Sequence, residues 1–167
     1  MRPVQFISAL CGLGLAAFGV APAQDASPQG AIAGVVRPFA PGERLTYSVR
    51  VGPLGSGRAI AQITGVDTVR GRTVYHSIFK IDGGLLFFKV DDLYESWFDP
   101  NTLVSLRYHQ NIDQGPYERA RRYEIYRDRG TYVDANGVEA KTVEQPLDDG
   151  AFLYFLRTIP LEVGKTY

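Results

Sequence analysis

The chain has 167 residues, and its 18 Lys and Arg balance 18 Asp and Glu, which excludes the strong positive field that draws proteins onto nucleic acid or anionic membranes. At 45% hydrophobic and 22% charged residues it is a folding composition and not a disordered one. The 18 Gly, 10 Pro and 12% aromatic residues favour short strands joined by tight turns over a helical bundle.

Met1-Arg2 is a short positive start, residues 6–20 form an apolar run, and Ala21-Pro22-Ala23 is a small-x-small motif. Together they predict a signal peptide over residues 1–23, cleaved before Gln24. The run falls short of the roughly 20 apolar residues of a spanning helix. No second run follows it, so no transmembrane helix is expected after cleavage, and the mature protein is expected in the periplasm or secreted. Cys11 is the sole cysteine and leaves with the signal; Leu10 before it is too large for a lipidation site. The mature chain therefore has no disulfide, thiol nucleophile or cysteine metal site. Residues 24–38 read as a flexible linker and 39–167 as a single β domain.

Pro41-Gly42 opens a first strand in which Leu45, Tyr47, Val49 and Val51 alternate with Arg44, Thr46, Ser48 and Arg50, one face buried and one wet. A Gly-rich turn over 52–57 leads to a second strand, Arg58 to Val69, and Gly71 hinges it to a third, Arg72 to Asp82. Leu85-Leu86-Phe87-Phe88 is apolar on both faces and predicts cover on both sides; a strand from Val90 to Phe98 follows, ending at the Asp99-Pro100 turn signal. If residues 113–116 form a four-residue loop, Tyr108 pairs with Arg121, Leu106 with Tyr123, Val104 with Ile125, Ser105 with Glu124 and Arg107 with Arg122. Asn136-Gly137 then joins two short strands near 131–133 and 138–143.

One helix is predicted late, started by Asp148 and Asp149 after Pro146, carrying Phe152, Phe155, Leu156 and Ile159 toward the sheet, and stopped by Pro160. Gly164-Lys165-Thr166-Tyr167 repeats the layout that opens the first strand, so the domain is expected to continue past Tyr167 and to be incomplete at its C-terminus. The expected fold class is mainly β: a curved antiparallel sheet or partly open β-barrel with one late α-helix packed on it.

Signals for chemistry are sparse. His76 and His109 lie on different strands without a second ligand at zinc-type spacing, and the 52–57 glycines lack the Lys-Ser/Thr that grips phosphate. Asp91, Asp92, Glu95 and Asp99 lie close in sequence, but alternation sends Asp92 to the opposite face from the other three, as suits a solvated rim. Arg119, Arg121, Arg122, Arg127 and Arg129 are interleaved with Glu118, Glu124 and Asp128, as on a neutralised outer face. No catalytic residue, metal or cofactor is implied.

The Pro41 to Tyr47 run, Tyr94-Glu95-Ser96-Trp97-Phe98-Asp99-Pro100, Ser105-Leu106-Arg107-Tyr108, and the block Pro146 to Arg157 with the closing Gly-Lys-Thr-Tyr resemble the bacterial domain-of-unknown-function 3108 family. The resemblance implies exported proteins of mostly β fold that usually continue beyond this last motif. It implies no catalytic residues, because the family carries no established catalytic motif.

The reading that follows is an exported, non-catalytic binding or cell-envelope-associated domain. Its aromatic apolar face would take a lipid-like or amphiphilic ligand through Tyr47, Phe79, Phe87, Trp97, Tyr108 and Tyr123, with Arg121 at the polar rim. Two alternatives stay open: a hydrolase of envelope polymers using the Asp91 to Asp99 carboxylates, and a scaffold that pairs with an envelope protein by strand addition.

Overall fold

The computed structural model of the chain describes residues 37–50, 55–85 and 88–166. The predicted signal peptide, nearly all of the linker, the start of the 52–57 turn, Leu86-Phe87 and Tyr167 lie outside these residues.

Eight strands run in chain order through one antiparallel sheet: β1 (Arg44–Arg50), β2 (Gly55–Val69), β3 (Arg72–Leu85), β4 (Phe88–Phe98), β5 (Ser105–Gln114), β6 (Tyr117–Tyr126), β7 (Thr131–Asp134) and β8 (Glu139–Lys141). Helix α1 (Asp149–Leu156) packs on β3 and β4. β1 and β8 occupy the two ends of the strand order, so the sheet is open and curled and does not close into a barrel. Strands that alternate apolar and polar residues every second position, joined by short turns, pair with their sequence neighbours at the least loop-closure cost, and this produces the meander.

The turns explain the register. Arg70 and Gly71 both have positive φ, 48° and 76°, the pair required by a type I′ hairpin between β2 and β3. Between β5 and β6 the loop is only Gly115-Pro116, with Gln114 opposite Tyr117. Gly115 has φ 67° and proline is held near −65°, a combination that fits a type II′ turn and excludes type I′. This corrects the expected four-residue loop. Tyr108 faces Tyr123 in place of Arg121, and Arg107 faces Glu124 in place of Arg122, which turns a like-charge pair into an ion pair.

A second correction comes from an irregularity where Trp97 pairs with Arg107 but Phe98 pairs with Ser105. The extra residue, Leu106, joins Trp97, Val69 and Val74 in a small core on the face away from α1. Ser105 is thereby turned toward α1, where its hydroxyl accepts from the Asp148 N–H at 2.8 Å. Strict alternation along this strand, as in the pairing expected from the sequence, puts Leu106 on one face with Tyr108, and Ser105 on the opposite one with Arg107.

The main core lies between α1 and the sheet: Ile63, Phe98, Leu103, Ala151, Tyr154 and Phe39, all buried. Phe98 and Ile63 are fully enclosed, each contributing about 1.5–3 kcal/mol of transfer free energy. α1 starts where expected, with Asp148 as N-cap accepting from the Ala151 N–H at 2.8 Å, but it ends at Leu156, before Ile159. Its buried residues are Gly150, Ala151 and Tyr154, while Phe152 is exposed. Gly150 sets this rotation, because a Cβ there would stand 2.7 Å from the Ser96 Cβ. Only glycine lets the first turn descend so close to β4.

Candidate functional site

Cross-strand register defines two faces. The inner face carries α1, and one row of directly paired residues crosses it from Leu45 through Ala61, Phe79, Tyr94 and Gln110 to Arg121. Beside this row, between β1, β2, β3 and the far half of α1, lies a groove of about 500 Å³. Its sheet side is Leu45, Tyr47, Ala59, Ala61 and Phe79, and its helix side is Leu153, Tyr154, Leu156 and Arg157. Ala59 and Ala61 are buried and small, so the cavity exists because the floor has no bulk to fill it. Beyond Ala59 the backbones of Gly57 and Gly83 nearly touch: a Cβ on Gly83 would meet the Gly57 Cα at 2.8 Å. This glycine pair permits the crease that curls β2 and β3 at that end.

The groove is polar at its rim by the C-terminus of α1. Arg157 donates to both carboxylate oxygens of Glu43, at 2.5 and 3.0 Å, and to the Pro38 carbonyl at 2.6 Å. The hydrogen bonding to Glu43 raises the pKa of the guanidinium. The Tyr154 hydroxyl is buried with no hydrogen-bond partner among the described residues, and burial pushes its pKa well above the ordinary phenol range.

On the other side of α1's first turn a smaller cleft of about 210 Å³ is lined by Tyr108, Tyr123, Ile125, Tyr132, Pro146 and Asp149, among others. Here the helix is locked to the sheet. The Tyr108 hydroxyl donates to Asp149 at 2.7 Å and the Ser96 hydroxyl donates to Asp148 at 2.8 Å. Burial raises the Asp148 carboxyl to a pKa of about 6, against the N–H and hydroxyl donors that favour its ionised form.

The predicted ligand residues are therefore distributed. Tyr47 and Phe79 line the groove, and Tyr108 and Tyr123 line the small cleft, their rings parallel at 6.4 Å. Arg121 sits on the inner face opposite Gln110. Phe87 lies outside the described residues. Trp97 is on the outer face, stacked on His76 with ring centroids 4.3 Å apart, edge-on to His109 at 4.9 Å, and donating to Asp67 at 3.0 Å. It does not share a surface with the inner aromatics.

That outer cluster escaped the sequence reading, because β3, β4 and β5 must be in register before it forms. The Glu95 carboxylate stands between His76, at 3.2 Å, and His109, at 4.0 Å. Burial, with Arg122 second, lowers the His109 pKa. No group of three or more His, Cys, Asp or Glu is placed to hold a metal ion among the described residues. Nor do the four acidic residues of the hydrolase reading converge. Asp91 is paired with Lys80 and Lys89, whose hydrogen bonds lower its pKa, and Asp92 is buried and accepts from Gln114 and the Asp113 N–H. Glu95 faces the histidines, and Asp99 caps its own turn through the Asn101 and Thr102 N–H groups. The five arginines split between faces: Arg119 and Arg121 are inner, while Arg129 is paired with Glu139 and stacked on Tyr126.

The groove's own residues were partly legible, since Leu45 and Tyr47 share the parity of one face. Ala59, Ala61, Leu153 and Leu156 carried no such signal, because a floor of alanines is recognisable only by what fails to fill it. No helix among the described residues is long and apolar enough to cross a membrane. No curated protein and no solved structure was found to match the chain. The family model for proteins of unknown function DUF3108 matches residues 46–167, from β1 through α1 and beyond, and the chain belongs to that family.

Proposed function

We propose that this protein is an exported, non-catalytic binding domain of the cell envelope that holds the alkyl chain of an amphiphile in the groove between β1, β2, β3 and α1. The observation that carries this is the groove itself: about 500 Å³, open along one side, with an almost wholly apolar lining on two rigid elements. About ten methylenes buried at about 0.8 kcal/mol each supply roughly 8 kcal/mol, the order of a micromolar dissociation constant before the entropy of association is subtracted. Binding of this kind is passive and reversible. The scattered engagement of Asp91, Asp92, Glu95 and Asp99 gives the hydrolase reading no pair of free carboxylates facing one cleft. Export is supported by the signal-like residues 1–23.

Native mass spectrometry of protein purified from its exported fraction tests the reading. Adducts of a lipid mass that are displaced by a competing alkyl detergent are expected. Protein that carries no adduct and takes up no alkyl detergent contradicts it.

A further inference from the structure

Resting on that groove reading, we infer that the amphiphile carries an anionic oxygen group, a phosphate or carboxylate, and that Arg121 and the side-chain amide of Gln110 hold it at the far end of the same inner-face row. The row is graded in chemistry. Leu45, Ala61 and Phe79 floor the groove, Tyr94 follows, and Gln110 and Arg121 end it as a direct cross-strand pair. From Phe79 to Arg121 is three strand spacings, roughly 14 Å.

Two independent features mark the polar end as unfinished. Gln110 is 7% exposed, and its amide N–H, the group that can donate to an anion, has no hydrogen-bond partner among the described residues; its buried amide oxygen is unpartnered there too, but as an acceptor it takes no part in holding an anion. Arg121 is half-buried and likewise has no hydrogen-bond or ion-pair partner among the described residues. Arg119 on the same face also lacks a carboxylate among the described residues, whereas the half-buried Arg70, Arg107 and Arg157 each sit against one. A partly desolvated guanidinium without a counter-charge is unfavourable, and an anion supplied from outside removes the deficit.

The acidic groups of the inner face are already committed. Asp92 accepts from Gln114 and the Asp113 N–H, and Asp149 accepts from Tyr108. Arg119, two residues along on the same face, adds a second positive charge, its one hydrogen bond being a long one of 3.4 Å to Tyr117. The local field therefore favours a negative group, while the groove beyond Tyr94 accepts only its tail.

Isothermal titration with dodecyl phosphate, dodecyl maltoside and dodecyltrimethylammonium below their micelle concentrations, and with inorganic phosphate, tests this. Dodecyl phosphate is expected to bind about tenfold or more tightly than the maltoside, as a charge-assisted hydrogen bond supplies. Arg121→Gln should remove that advantage and leave maltoside affinity unchanged. Gln110→Glu, which places a carboxylate beside Arg121, should remove it too and serves if the first variant does not fold. Equal affinity for all three detergents, or a preference that survives both variants, overturns the inference while leaving the groove reading intact. Failure of all three to bind overturns both. Inorganic phosphate binding as tightly as dodecyl phosphate, with the same Arg121 dependence, supports the anion site but assigns it to a free anion.

Discussion

Asp148 is subject to two opposing demands. As the N-cap of α1 it accepts from Ala151 and Ser96, which favour the carboxylate, yet its burial beneath the helix disfavours charge and wins, raising its pKa to about 6. A raised folded-state pKa contributes stability that is fully present below the unfolded value of about 3.9 and is lost as pH rises through about 6. Asp148→Asn keeps an acceptor for Ala151 and a polar partner for Ser96 without the charge. Urea unfolding at pH 4, 5, 6 and 7 should show the parent losing about 2 kcal/mol relative to the variant across this range. Parallel pH profiles would mean that the carboxylate is not held in this way. Tyr154 makes a simpler case, since its hydroxyl is buried and has no partner among the described residues. Tyr154→Phe removes that cost and keeps the ring against Phe39 and Phe98, so a gain of about 1 kcal/mol is expected in the same assay.

At the scale of elements, close approach outweighs intrinsic preference. Alanine is a better helix former than glycine by about 1 kcal/mol, yet Gly150→Ala should destabilise the protein by about 1–3 kcal/mol, because its methyl meets Ser96 where α1 is pinned to β4. A rise in thermal midpoint would refute that docking. Gly83→Ala should cost a similar amount at the β2–β3 crease, where its methyl would meet the Gly57 backbone. The elements themselves were legible: period-two alternation located the strands, and Asp148 with Pro146 located α1. The β5–β6 register was not read correctly, because it turns on Gly115-Pro116 forming a two-residue turn, although Gly at the first central position is a type II′ signal. The face of Leu106 could not be read at all, since an irregularity in strand pairing leaves no local mark on composition.

For the molecule as a whole, the open sheet and its single helix divide the chemistry by face. The outer face gathers the histidines, Trp97 and most ion pairs into a closed polar and aromatic surface whose members largely satisfy one another. The inner face keeps an unfilled apolar groove and leads across one residue row to the Arg121 guanidinium, which has no ion-pair partner among the described residues. Reading aromatics as a single site merged these faces, and the parity that places Trp97 with Glu95 was the signal that separates them. The central claim is that the groove over Ala61 holds an alkyl chain. Its most direct test is equilibrium titration of a dodecyl-chain fluorophore into the parent and into Ala61→Trp, whose indole would occupy the cavity between Leu45 and Phe79. Micromolar binding by the parent is expected, with at least about a tenfold loss in a variant that still unfolds cooperatively. Equal affinity in the two proteins, or no binding by the parent, would contradict that claim.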